Sequence, residues 1–284
     1  MPELRRNLCA EYAAEPAGEM VMVTRKRRVL VVLIVLFLLL LGGPAWVLVS
    51  GQASLRGDWS TASRQSAGIA PDPAETGEAV VQVYAARAYS WRGVFAVHTG
   101  IAVKPAKAPA WTTYQVIGWN VMRGGKAVAI RHEAADRYWF GSRPEIIADL
   151  RGEGVDAIIR DIDRAAQAYP YNDTYTAWPG PNSNTFVAWI GRQVPGLGLE
   201  LPPTAVGKDW LGTATIAART PSGTGFQVSL FGLLGFTAAL EEGLELNVAG
   251  LTLGVDPLDL ALKLPGVGRL GPDWGRAAHA EGRS

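Results

Sequence analysis

Two places in this chain carry residue types that could do chemistry together. The first is Asn182-Ser183-Asn184, which follows Pro179-Gly180-Pro181 and opens a run with Phe186, Val187, Ile190 and Val194 at helical spacing. Pro181 has no N–H and restricts the residue before it, so the chain should enter this helix from an extended arm, with Asn182 or Ser183 as N-cap. Unpaired N–H groups and the helix dipole at such a terminus favour negative charge, so the spot can host a nucleophile and its oxyanion. A well-capped helix start has the same composition. The second place is His98, in the strand-like run Ala96-Val-His-Thr-Gly-Ile-Ala-Val. Alternation puts Phe95, Val97, Thr99 and Ile101 on one face and Ala96, His98, Gly100 and Ala102 on the other. Small neighbours leave room beside the imidazole, although a lone strand histidine is more often a hydrogen-bonded core group than a catalyst.

Composition closes off other chemistries. Cys9 is the single cysteine and precedes the apolar run, so the part beyond it has no disulfide framework, thiol nucleophile or cysteine-ligated zinc. Three histidines supply a zinc site poorly, and no cofactor or metal is expected. A net charge of +1 over 284 residues gives no basic face for nucleic acid. With 48% hydrophobic residues, the chain can bury the core of one domain of roughly 200 residues. Its 33 glycines and 18 prolines break it into short segments, which suits strands better than a helix bundle.

These residues must be positioned by a domain that follows a membrane segment. Residues 29–49 carry no charge and are long enough to cross a bilayer core of about 30 Å. Arg25-Lys26-Arg27-Arg28 stand directly before them, so the positive-inside rule leaves residues 1–28 in the cytoplasm and the main domain outside it. The expected location is the inner membrane, single-pass, with the domain periplasmic. An uncleaved signal anchor over 29–50 is the reading adopted; cleavage near Gly51-Gln52-Ala53 is the alternative. The first 21 residues are excluded from the fold, and Met22 is an alternative start.

Residues 51–78, rich in Ser, Ala, Gly, Pro and Asp, read as a linker. Strands are expected over 79–86, 94–103, 111–121 and 126–132, as an antiparallel meander. Pro144 should open a short helix over 145–150, and a second helix should span 155–168, with Ile158, Ile159, Ile162, Ala165 and Ala166 as its apolar stripe. The aromatic arm with Tyr169, Tyr171, Tyr175 and Trp178 packs on the sheet or forms a stacking wall for a ligand. Beyond Pro202-Pro203, runs at 212–219, 225–234 and 244–253 predict a β-rich extension over 201–270, before a tail at 271–284. GFQVSLFGLLGF at 225–236 reads as a core hairpin, with a surface lying on the bilayer as the alternative.

The motif at 179–186, PGPNSNTF, is similar to one carried by an uncharacterised family of proteobacterial membrane-anchored proteins, a likeness that covers most of residues 78–270 and implies no known activity. His98-Thr-Gly-Ile101 followed by Asn182-Ser183-Asn184-Thr185-Phe186 resembles the permuted papain-like superfamily: NlpC-type peptidases, lecithin retinol acyltransferase-like proteins and PPPDE-like peptidases. That resemblance implies an α+β fold over 79–200, an antiparallel sheet with packed helices. It implies Ser183 as nucleophile in place of the family's cysteine, His98 as base and Gln115 on the next strand as orienter, with Asn120 and His132 as fallbacks. Asn182, Asn184, Trp178 and Tyr175 would then contact an envelope peptide, glycan or lipid. A serine hydroxyl does not ionise near neutral pH as a thiol can, so it needs that base in line. Three other readings stand beside this one: Ser183 as a cap, a cleft that lost its nucleophile and binds, or turn chemistry alone. The two functions carried forward are a membrane-anchored hydrolase or acyltransferase, and a non-catalytic binding or scaffold protein.

Overall fold

The computed structural model describes residues 17–53 and 60–272, with side chains of the first helix from Arg25 onward. Cys9, most of the N-terminal segment and nearly all of the tail lie outside the described residues. The chain divides into two compact units, to Leu39 and from Leu40. Helix α1 (Ala17–Val49) supplies the first; its stretch Arg25–Val49 has a mean hydropathy of 2.7 and is long and apolar enough to cross a bilayer.

The second unit begins with the end of α1, which is part of its fold. Val47 is wholly buried with Ala53 and Val94, and Phe95 and Val267 pack beside them. Gly43 makes this seat possible, because a Cβ there would collide with the Pro265 carbonyl. Arg87 locks it, donating to the carbonyls of Gly93 (3.1 Å) and Gly266 (2.7 Å) and to Gln52 Oε1 (3.3 Å).

Five antiparallel strands follow: β1 (Val80–Arg87), β2 (Val97–Lys104), β3 (Thr112–Val116), β4 (Val128–His132) and β5 (Glu145–Arg151), ordered β4-β3-β2-β1-β5. Two corrections to the sequence reading appear here. Residues 145–150 form a strand, not a helix, because Ile146 and Ile147 are β-branched and the β1 edge offers a full antiparallel ladder. The run at 111–121 leaves the sheet at Val116 and turns into α2 (Gly118–Met122). Helices α3 (Val155–Gln167) and α4 (Ser183–Gln193) cover one face. Val81, Val83, Ile101 and Tyr114 of the sheet meet Ile159 and Ile162 of α3 and Phe186 and Ile190 of α4 in the main core. On the opposite face, Ile69 and Ala70 from the linker stretch pack against Val80, Tyr84, Ala102 and Trp111. Asp136 fixes that stretch, accepting from Ser66 Oγ (2.7 Å) and the amides of Ile69 (2.7 Å) and Ala70 (3.1 Å). Burial alone would raise the Asp136 pKa, but these donors hold it below the usual carboxylate range.

The C-terminal region is a seven-stranded antiparallel meander: β6 (Ala217–Arg219), β7 (Gly225–Leu230), β8 (Leu234–Ala239), β9 (Gly243–Val248), β10 (Leu251–Asp256), β11 (Ala261–Leu264) and β12 (Gly268–Leu270). Its alternation runs opposite to the expected core hairpin: Gln227, Ser229, Thr237, Glu245, Asn247 and Lys263 are buried, and the apolar residues between them are exposed. The buried face is an ionic layer. Lys263, at 0% exposure, reaches Glu200 Oε1 (2.6 Å), Glu245 Oε1 (3.1 Å) and the Glu242 carbonyl (2.6 Å). Lys208 pairs with Glu245 and with Asp209 (3.3 Å), and Asp209 accepts from Asn247 (2.7 Å). Burial pulls the Lys208 pKa down, but Asp209 and Glu245 outweigh it and leave it raised. Burial likewise pushes Asp209 up, and Lys208 and Asn247 bring it below its ordinary value.

Removing one member of such a layer strands the others without water. Lys263→Ala should destabilise the protein by roughly 3–5 kcal/mol, while Lys126→Ala, which breaks the exposed 2.5 Å pair with Asp173, should cost no more than about 1 kcal/mol. Chemical denaturation of the full chain in detergent checks both; equal costs would mean the layer is not a structural requirement.

Candidate functional site

Helix α4 begins where the chain crosses β2, and its first residues knit the two together. Asn182 is the N-cap: its Oδ1 accepts from the amides of Asn184 (3.0 Å) and Thr185 (3.1 Å), and Thr185 Oγ1 accepts from the Asn182 amide (3.1 Å), completing a capping box. Asn182 Nδ2 donates to the carbonyls of Ala177 (3.1 Å) and Val206 (3.0 Å). Asn184 Oδ1 accepts from Thr99 Oγ1 (2.9 Å), and its Nδ2 donates to the carbonyls of Val97 (2.9 Å) and Val206 (2.8 Å). Gly207, at φ +101°, lets the 204–210 loop close over this web; a Cβ there would collide with the Asn182 side chain. The arm before the helix doubles back, with the Thr176 amide donating to the Pro181 carbonyl (2.8 Å), and is not extended as the prolines led us to expect.

Ser183 is therefore the first helical residue and not the cap. It is buried, makes no side-chain hydrogen bond among the described residues, and faces a cleft of about 670 Å³. Trp91, Trp119, Trp139, Phe140, Tyr175 and Trp178 wall this cleft, and Asn182, Asn184 and His98 also line it. Trp178 is itself held by a 2.9 Å bond from its indole N–H to the Ala249 carbonyl.

His98 reaches the cleft from the other side of the sheet. It shares its face with Gly100 and Gln115, while its neighbour Thr99 is the side chain that meets α4. No hydrogen bond joins Ser183 Oγ to the His98 ring among the described residues. The imidazole lies flat on Trp139, with ring centroids 3.4 Å apart and planes 1° from parallel. Its Nε2 is 3.3 Å from Gln115 Oε1, and Gln115 Nε2 donates to Glu133 Oε1 (2.9 Å). A carboxylate can only accept, so Glu133 fixes the Gln115 amide with its oxygen toward His98. That oxygen accepts a hydrogen bond from Nε2–H, which leaves Nδ1 with the lone pair. Glu133 is held in turn by Arg137 and by Thr113 Oγ1 (3.0 Å). Burial drives the His98 pKa down to about 3, with the Gln115 bond opposing it. The ring is thus neutral at ordinary pH and a weak base. The fallback residues lie elsewhere: His132 is exposed at the end of edge strand β4, bonded to Thr112 Oγ1 (3.1 Å), and neither it nor Asn120 lines the cleft. Trp139, Phe140 and Glu133 are the contributors that sequence reasoning missed. For the two rings the signal was the aromatic run at 137–143, which nothing in the sequence tied to His98, and Glu133 carried no signal of its own.

The fold and the site together define a mixed helix and antiparallel-sheet domain with an aromatic-walled cleft. Residues 78–210 of it match the DUF3750 family model, described as a protein of unknown function. The match starts just before β1 and ends at Trp210, so it holds the five-stranded sheet, α4 and the loop closed by Gly207. No curated protein and no solved structure matches the chain.

Two expectations follow. Asn182→Ala removes a cap and two further bonds and should cost about 2 kcal/mol or more, whereas Ser183→Ala, which loses no side-chain bond, should lie within about 0.5 kcal/mol of wild type. Denaturant midpoints of the two variants decide this, and equal losses would return the capping role to Ser183. His98 titrates near 3 when folded and near about 6.5 when unfolded, so the unfolded chain binds the proton first. Stability from this group is complete above the unfolded value and is lost as pH falls from there toward 3. His98→Phe, which keeps a ring against Trp139, should lose less stability than wild type between pH 6.5 and 4; parallel pH profiles would refute the neutral histidine.

Proposed function

We propose that the protein is a membrane-anchored binding protein whose cleft takes the apolar body of an envelope lipid. The observation that carries this reading is the cleft's chemistry: its walls are indole and phenyl rings, and the side-chain amides of Asn182 and Asn184 at its floor are committed to protein hydrogen bonds. Such a lining rewards apolar area and offers few polar groups, among them the Ser183 hydroxyl, the His98 ring and Arg92 at the rim. Its place supports a lipid over a glycan or peptide. Trp91 and Phe95 of the cleft flank Val94, which packs against Val47 at the end of the apolar helix. The basic cluster Arg25–Arg28 supports an orientation with the N-terminus cytoplasmic and the domain on the periplasmic side of the inner membrane. The burial of Val47 and Ala53 supports an uncleaved anchor.

One observation favours a second reading, a serine hydrolase or acyltransferase of papain-like ancestry. Gln115 holds His98 in a single tautomer, as the orienter of a catalytic base would, and His98 and Ser183 line the same cleft. The depressed histidine pKa and the missing Ser183–His98 bond weigh against it.

A diazirine-bearing palmitate, photolysed with the full chain in nanodiscs, should label peptides around Trp119 and Trp178. Excess palmitate should remove the label, and Trp119→Ala should reduce it about tenfold, the loss of roughly 1.4 kcal/mol of apolar contact. Label confined to residues 29–49 would overturn the proposal. A fluorophosphonate probe that captures wild type and not Ser183→Ala would establish the hydrolase in its place.

A further inference from the structure

We infer that the outer face of the seven-stranded sheet rests on the surface of the bilayer that α1 crosses. The register aligns Val228, Phe236, Leu246 and Leu253 in one row across four strands. A second row runs Phe226, Ala238, Leu244, Val255 and Leu262. Phe226, Phe236, Leu246 and Leu262 are 58%, 46%, 42% and 52% exposed. Exposed apolar side chains contiguous across several strands mark an interaction or membrane surface. It is not a face turned outward by a register slip, because a shift of one residue would put Lys263 and Glu245 outside and break the ionic layer.

The occupant follows from continuity. The β11–β12 turn of this sheet is where the end of α1 seats, with Gly43 against Pro265 and Val47 with Val267, so the apolar face belongs to an element already at the membrane surface. The strands decide how it sits. At three to six residues they reach at most about 20 Å, short of a hydrocarbon core of about 30 Å, so the sheet does not span. Edge strands β6 and β12 have three residues each, which keeps few unpaired backbone groups at the border, and Arg219 of β6 is exposed at that rim to meet headgroups. Side chains face acyl chains, and edges face water.

Spin labels test this on the full chain. In a Cys9→Ser background, nitroxides at Phe236→Cys and Leu246→Cys are compared with one at Lys126→Cys, in vesicles of phosphatidylethanolamine and phosphatidylglycerol. Bilayer contact predicts strong relaxation by oxygen and loss of relaxation by the nickel chelate NiEDDA at 236 and 246, with the reverse at 126. NiEDDA access equal to that at 126 would mean a wet face and sink the proposal. Protection from both reagents would also sink it. Dipolar broadening that vanishes on dilution with unlabelled protein would then name a second copy as the cover, and its absence a cover from within the chain.

Discussion

The ionic layer beneath the seven-stranded sheet sets the terms for the rest of the molecule. A lysine with no exposure is tolerable only among carboxylates and carbonyls, and Lys263 finds them on the 199–201 segment, on β9 and in the turn before it. Lys208 and Asp209 bring the 204–210 loop into the same layer, and Arg192 brings α4, donating to the Lys208 carbonyl (2.9 Å) and to Gln227 (2.7 Å). Burial lowers the Arg192 pKa to about 10, against the pull of Asp209 and Glu242, and the group stays charged at any physiological pH. Because the inner face must be polar to receive these groups, period-two alternation sends the apolar residues of these strands to the outer face.

The same layer fixes the cleft. Asn182 and Asn184 both donate to the Val206 carbonyl, two residues from Lys208, so the start of α4 cannot shift without disturbing the ion pairs. On the other side of the sheet a second polar chain, His98 to Gln115 to Glu133 to Arg137, sets the plane of the imidazole and with it the Trp139 wall. The cleft is thus held from both faces of one sheet, which suits a preformed binding surface whose rings do not need to reorganise.

Periodicity made much of the first sheet and its helices legible in the sequence. The apolar stripe of α3, the buried residues of α4 and the two faces of β2 are where spacing put them. Local signals failed where tertiary pairing decided. Residues 145–150 followed a proline and read as helix, yet the unpaired edge of β1 drew them into a strand. In the C-terminal region the strands were visible, but the sidedness was not. GFQVSLFGLLGF alternates equally well with either face inward, and only the distant Lys208, Glu200 and Arg192 select the polar one. Ser183 and His98 were singled out by type and spacing, and both line one cleft. What spacing could not convey was that Thr99, and not His98, points at the helix start.

The seating of Val47 and Gly43 makes the end of the apolar helix part of the domain. A cleavable leader would leave the domain intact after release. Here the last turns of α1 are core residues, and Gln52 is a ligand of Arg87. Proteolysis at Gly51-Gln52-Ala53 would strip Val94 and Val267 of their cover and leave a guanidinium short of an acceptor. Removal of the helix would therefore take part of the domain's core with it and destabilise what remains.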